Sequence, residues 1–118
     1  MEPDDAVAAL SALAHPGRLA IFRLLVKAGA DGLPAGRIAA ETGSLPNTLS
    51  ANLNILTAAG LTGSRREGRS IIYTANYDAM RDLLGFLMED CCAGEPAICM
   101  PISEMARFTR GSSSIHFA

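Results

Sequence analysis

Three thiols, Cys91, Cys92 and Cys99, fall within nine positions of a 118-residue chain. Adjacent residues project about 100° apart on a helix, so Cys91 and Cys92 converge on one ion where a helix frays. A turn at Gly94-Glu95-Pro96 then brings Cys99 back as a third ligand. Soft thiolates select soft or thiophilic ions such as zinc, copper(I) or trivalent arsenic. Structural zinc wants four ligands, and neither histidine, His15 or His116, is close in sequence. Trivalent arsenic keeps a lone pair and is satisfied by three sulfurs in a pyramid. The set fits arsenite or antimonite better than zinc. Two other readings of the thiols stay open: ordinary buried cysteines and a redox switch through thiol oxidation. An odd count with an adjacent pair is a poor disulfide framework.

A second group of residues suits nucleic acid. With Leu45, Leu49, Leu53 and Leu56 as the apolar stripe of one helix, Asn47, Ala51, Asn54 and Ala58 lie opposite it. Ser50 and Thr57 stand beside that face, and Thr48 is on its other flank near the helix start. The major groove admits one helix bearing small polar groups, so Asn47, Thr48, Ser50, Ala51 and Asn54 are the candidate DNA contacts. Asn52 falls toward the apolar side and is expected to pack or hydrogen-bond inside. Downstream, Arg65, Arg66 and Arg69 flank the tight turn Glu67-Gly68. On a wing they would reach phosphates or the minor groove; the alternative is a solvated turn that protects an edge strand.

These residues need a scaffold, and the apolar spacing supplies one. Asp4 or Asp5 caps a first helix carrying Val7, Leu10 and Ala14. Pro16 suits the first turn of a second helix with Ile21, Leu24, Leu25 and Ala28 inward, ended by Gly29. Leu33-Pro34 opens a short third helix with Ile38 and Ala39 inward, stopped by Gly43. The leucine-striped fourth helix begins after Ser44-Leu45-Pro46 and closes at Gly60, completing a helix-turn-helix. Two strands, from Leu61 to Arg66 and from Arg69 to Thr74, surround the turn. A fifth helix starts near Tyr77 with Met80, Leu83, Leu84 and Leu87 inward, and Cys91-Cys92 falls at its end. The expected fold is mainly α with a β-hairpin: a winged helix-turn-helix. Residues 1–92 form the DNA-binding and dimerisation domain. Residues 93–118 form an extension that contributes to the thiol site and ends in a loose tail. Apolar Val7, Leu10, Leu83 and Leu87 on the first and fifth helices motivate a two-fold dimer.

Composition narrows the class. With 49% hydrophobic residues the chain can build one core, and its length suits one domain. No run approaches the roughly 18 apolar residues of a membrane span, and the start Met1-Glu2-Pro3-Asp4-Asp5 is acidic, unlike a secretory signal. A cytoplasmic protein without a membrane partner is expected. The net charge of −2 is unevenly spread: residues 1–32 carry −1, residues 33–74 carry +2, and residues 75–118 carry −3. The basic middle holds the candidate DNA contacts. No histidine accompanies the thiols in sequence and no nucleophile motif is present, which speaks against an enzyme.

Three segments together resemble the ArsR-type metalloregulatory repressors. They are Leu13-Ala14-His15-Pro16-Gly17-Arg18-Leu19-Ala20-Ile21, the stretch Thr48 to Leu61, and Arg66-Glu67-Gly68-Arg69-Ser70-Ile71-Ile72-Tyr73. The resemblance covers about residues 6–90. It implies a homodimer that binds double-stranded operator DNA and is released by its inducer. Better-known arsenic repressors of the family carry a Cys-x-Cys-type motif on the third helix, but Gly32 to Ile38 holds no cysteine. Zinc-sensing members use histidines and carboxylates on the last helix, but Tyr77 to Asp90 has no histidine. The chain is similar instead to the minority with Cys-Cys at the end of the last helix plus a later Cys. That implies As(III) or Sb(III) as the inducer at Cys91, Cys92 and Cys99, with no permanent cofactor.

Overall fold

The computed structural model describes residues 1–89. Helix α1 spans Pro3–Leu13 and starts earlier than the Asp4 or Asp5 cap expected from sequence. Proline at the first helical position loses no hydrogen bond, and the Asp5 carboxylate reaches back to accept from the Glu2 backbone N–H at 3.0 Å. The inner face of α1 is all alanine: Ala6, Ala9 and Ala12 are buried. Val7 and Leu10 remain on the outside, 64% and 43% exposed.

Helix α2, Pro16–Ala28, is capped by His15, whose Nδ1 accepts from the backbone N–H groups of Gly17 (3.1 Å) and Arg18 (3.3 Å). Its buried side chains are Ile21, Phe22 and Leu25, so the inward stripe includes a phenylalanine that the expected spacing passed over. Leu24 and Ala28 are only half-buried. A 3-10 turn at Gly29–Asp31 follows.

Leu33-Pro34 does not open the third helix as expected. It forms a two-residue strand, β1 (Leu33–Pro34), and α3 runs Ala35–Thr42 after it. Proline has no N–H to give a ladder, which an edge strand tolerates. Gly32 makes the approach possible: it has φ +67°, and a Cβ there would collide with the Tyr73 carbonyl oxygen and the Thr74 and Ile72 side chains.

Gly43, left-handed at φ 70°, ends α3, and α4 spans Pro46–Ala58. Its buried positions are Leu49, Asn52, Leu53 and Leu56. Leu45 does not belong to this stripe: it is the residue before the helix and is 71% exposed. Strands β2 (Thr62–Glu67) and β3 (Ser70–Ala75) form the hairpin, with Gly68 at φ 62° in the turn. Their antiparallel register runs from Thr62↔Ala75 to Glu67↔Ser70. Leu33↔Tyr73 and Pro34↔Ile72 add β1 to the other edge, giving the order β1-β3-β2. The sheet therefore has a third strand beyond the expected hairpin.

Asn76 caps α5 (Tyr77–Leu87), accepting from the Ala79 N–H at 3.1 Å. The Tyr77 hydroxyl donates to the Val26 carbonyl at 3.0 Å, pinning the start of α5 to the end of α2. Burial raises the Tyr77 pKa above its ordinary value, with a backbone hydrogen bond opposing the shift. Ile21, Leu25, Ile38, Leu56 and Leu61 form the least accessible centre of the core, where α2, α3, α4 and the entry to the sheet meet. Only Leu83 of α5 is buried. Leu84 and Leu87, expected inward, are 53% and 50% exposed. The apolar residues left outside on α1 and α5 are thus Val7, Leu10, Leu84 and Leu87, while Leu83 belongs to the protomer's own core. Among the described residues no single helix is long and apolar enough to cross a membrane.

Candidate nucleic-acid interface

Beside the apolar packing of Leu49, Leu53 and Leu56, one polar junction joins α4 to α1 and α2. Arg18, in the first turn of α2, donates through Nε to the Ala12 carbonyl at 2.6 Å and through Nη1 to Asn52 Oδ1 at 3.5 Å. The first bond satisfies a carbonyl of the last turn of α1, which lacks a helical partner; the second reaches the inward side of α4. Gly17 lets this turn approach, since a Cβ there would lie 3.3 Å from Asn52 Nδ2 and 3.2 Å from His15 Cε1. The segment His15-Pro16-Gly17-Arg18 therefore does four local jobs: cap, first helical residue, close approach and tie. Asn52, buried at 6% exposure, is the internal residue that its helical position predicted.

With Leu49, Asn52, Leu53 and Leu56 inward, α4 turns the opposite face outward. Asn47, Thr48, Ser50, Ala51 and Asn54 are all exposed. Among the described residues none of the polar side chains of Asn47, Thr48, Ser50 and Asn54 has a hydrogen-bond partner within the chain. Asn52 and Asn76, by contrast, are both used internally. The arrangement offers an open row of donors and acceptors on a helix fixed from beneath. The turn before it is also braced, with Thr42 Oγ1 and Ser44 Oγ 2.7 Å apart.

The three wing arginines separate. Arg65 stands opposite Ile72 in the ladder, and its guanidinium is occupied within the chain: Nη1 donates to the Ala30 carbonyl (3.1 Å), Nη2 to the Asp31 carbonyl (2.9 Å) and Nε to Glu67 Oε2 (2.8 Å). It fastens the hairpin to the 3-10 turn. Arg66, opposite Ile71, takes the other face by strand alternation. Arg66 and Arg69 are exposed and, among the described residues, make neither ion pair nor hydrogen bond. They present unneutralised charge at the tip, which is what a polyanion attracts.

Arg18 was not singled out as a functional residue by its sequence position. The signal available was an arginine two residues after a helix-opening proline, and only the packing shows what it holds. The proposed thiol ligands Cys91, Cys92 and Cys99 lie outside the described residues, as does the extension 93–118.

Residues 13–62 match the family of helix-turn-helix domains. The nodulation protein NolR of Rhizobium meliloti is 36% identical over 80 residues, which are 68% of this chain and 63% of that one. The transcriptional regulator YgaV of Escherichia coli is 30% identical over 89 residues, 75% of this chain and 88% of that one. Among solved structures, the homodimeric winged helix-turn-helix domain of a possible ArsR-family regulator from Mycobacterium bovis superposes with a TM-score of 0.59. It shares 32% identity over 74% of this chain and 81% of that one. A possible transcriptional regulator for arsenical resistance gives a TM-score of 0.58 at 26% identity, over 69% and 81% of the two chains. YgaV is named as a regulator of transcription, and both solved structures as possible ones. With its exposed, uncharged α4 and its charged hairpin, this chain belongs to the ArsR family of winged helix-turn-helix transcriptional regulators.

Proposed function

We propose that the protein is a cytoplasmic, homodimeric repressor that holds a two-fold operator and releases it when trivalent arsenic or antimony binds Cys91, Cys92 and Cys99. The observation that carries the DNA half of this reading is the face of α4: exposed, polar and without partners among the described residues, on a helix tied to α2 through Asn52 and Arg18. Two such helices must be linked to read half-sites about one helical turn of DNA apart. Val7, Leu10, Leu84 and Leu87 provide apolar surface for that link. The similarity to a homodimeric relative supports it.

The inducer half rests on thiol chemistry, and the likeness to a possible regulator for arsenical resistance supports it. Three sulfurs complete the coordination of a trivalent metalloid. A conformation favoured by the metalloid and disfavoured by DNA would couple the two ligands, and linkage requires DNA to weaken metalloid binding by the same factor.

The test is operator binding with and without arsenite for the parent and for Cys91→Ser, Cys92→Ser and Cys99→Ser, all fully reduced. A hydroxyl is a harder and far less acidic ligand than a thiol, so each substitution should abolish most of the release while leaving unliganded binding intact. Retained release in Cys99→Ser would exclude a three-sulfur site. Release by peroxide but not by arsenite would assign the same cysteines to oxidant sensing.

A further inference from the structure

We infer that the exposed face of α4 selects A·T base pairs, with Asn47 and Asn54 each reading an adenine and Ala51 meeting a thymine methyl between them. The inference rests on the DNA-binding reading above and specifies the sequence class that this helix accepts.

The major-groove code assigns side-chain types to bases by geometry. Arginine and lysine pair with guanine O6 and N7, and aspartate and glutamate accept from cytosine N4. Asparagine pairs bidentately with adenine N6 and N7, and small apolar groups pack on the thymine methyl. Helix α4, Pro-Asn-Thr-Leu-Ser-Ala-Asn-Leu-Asn-Ile-Leu-Thr-Ala, contains no charged residue at all. The characteristic readers of guanine and cytosine are therefore both missing from the element best placed to read bases. Ser50 and Thr48 hydroxyls accept either kind of pair and add no discrimination between them.

The asparagines are also correctly placed. Asn47 and Asn54 are seven residues apart, two helical turns, so they share one line along the exposed face. At 1.5 Å per residue they stand about 10.5 Å apart, which spans at most about three base-pair steps at 3.4 Å each. Ala51, also exposed, lies between them on that face. Among the described residues both amides are without partners, so each can turn Oδ1 toward adenine N6–H and Nδ2–H toward N7. Arg66 and Arg69 on the wing suit the same composition, because A·T tracts narrow the minor groove and deepen its negative potential.

The experiment is selection of a random duplex library by the full-length protein, followed by affinity measurements on the enriched site. Enriched half-sites should carry A·T pairs at two positions no more than three steps apart. Replacing each of those adenines with 7-deazaadenine removes only the N7 acceptor and should weaken binding about 5- to 150-fold. The same replacement should have no further effect in Asn47→Ala or Asn54→Ala at the position each residue reads. Deoxyuridine for the intervening thymine should weaken binding by a smaller factor. Enrichment of obligatory G·C pairs at the positions sensitive to Asn47→Ala or Asn54→Ala would overturn the proposal. Indifference of the parent to 7-deazaadenine would overturn it equally. If no sequence were enriched above unselected DNA, both this inference and the operator-binding function would fall; specific binding to a G·C-dependent site would remove the inference alone.

Discussion

Helix α4 and the hairpin are both exposed but are built oppositely. Helix α4 carries no charge on its surface and is governed from below, where Asn52 meets Arg18. The hairpin carries Arg65, Arg66, Glu67 and Arg69 within five positions and is governed from its flank, where Arg65 grips the Ala30 and Asp31 carbonyls. In each region one polar residue is spent on position so that its neighbours can face outward. In the proposed DNA-binding function the two regions would take separate parts: base discrimination for the neutral helix, and charge-driven, salt-sensitive affinity for the hairpin.

The largest effect should come from breaking the support of α4. Arg18→Met keeps the length of the side chain but leaves the Ala12 carbonyl and the Asn52 amide without their partner. A loss of about 1.5–3 kcal/mol is expected for a charge-assisted bond, read as a lowered urea midpoint. Operator discrimination should fall in parallel while the wing charges are untouched. Next come Arg66→Ala and Arg69→Ala, which should weaken binding to operator and random DNA alike. An arginine that neutralises one phosphate contributes about 0.9 to the slope of log affinity against log salt. Its removal should flatten the slope by that amount, and by twice as much in a dimer with two wings. Unchanged slopes would remove these arginines from the DNA-facing surface.

Arg65→Ala sharpens the comparison within the hairpin itself. Its guanidinium is partly exposed and already paired, so its loss should cost about 1 kcal/mol of stability and alter the salt slope less than Arg66→Ala. The smallest effect on DNA binding is expected at Tyr77, which lies on α5 and on neither α4 nor the hairpin. Tyr77→Phe removes the hydroxyl bonded to Val26 and should cost about 0.5–1.5 kcal/mol near neutral pH. Because burial raises the folded pKa of this phenol, the unfolded chain ionises first as pH climbs. The stability contributed by the hydroxyl is whole below about pH 10 and is lost as pH rises through the higher folded value. The parent should therefore lose more stability than Tyr77→Phe as pH climbs above about 10, measured by denaturant titration at fixed ionic strength.

Much of this architecture was legible along the chain. The spacing Leu49, Leu53, Leu56 places an apolar stripe, and the same 100° steps put Asn52 inward and Asn47, Ala51 and Asn54 outward. Helix periodicity works here because each inward residue repeats a constraint set by the backbone. The glycine at 43 likewise marks a helix end because a left-handed residue is needed there. Elements too short to have a period were not legible: β1 is two residues long and contains a proline.

Sequence alone determined the order of helices and hairpin, the composition of the reading face and the neutrality of α4, since these follow from local backbone geometry and residue type. Only the tertiary structure decided which polar residues are spent on holding the fold. Arg65 and Arg66 are neighbours of identical chemistry, yet strand alternation and the 3-10 turn beside the sheet give one to the scaffold and leave the other outward. Leu83 and Leu84 are divided in the same way, one into the core and one onto the surface, by where α5 packs on the rest of the chain. A side chain's partners lie far along the chain, and only packing brings their carbonyls, amides and methyl groups within reach.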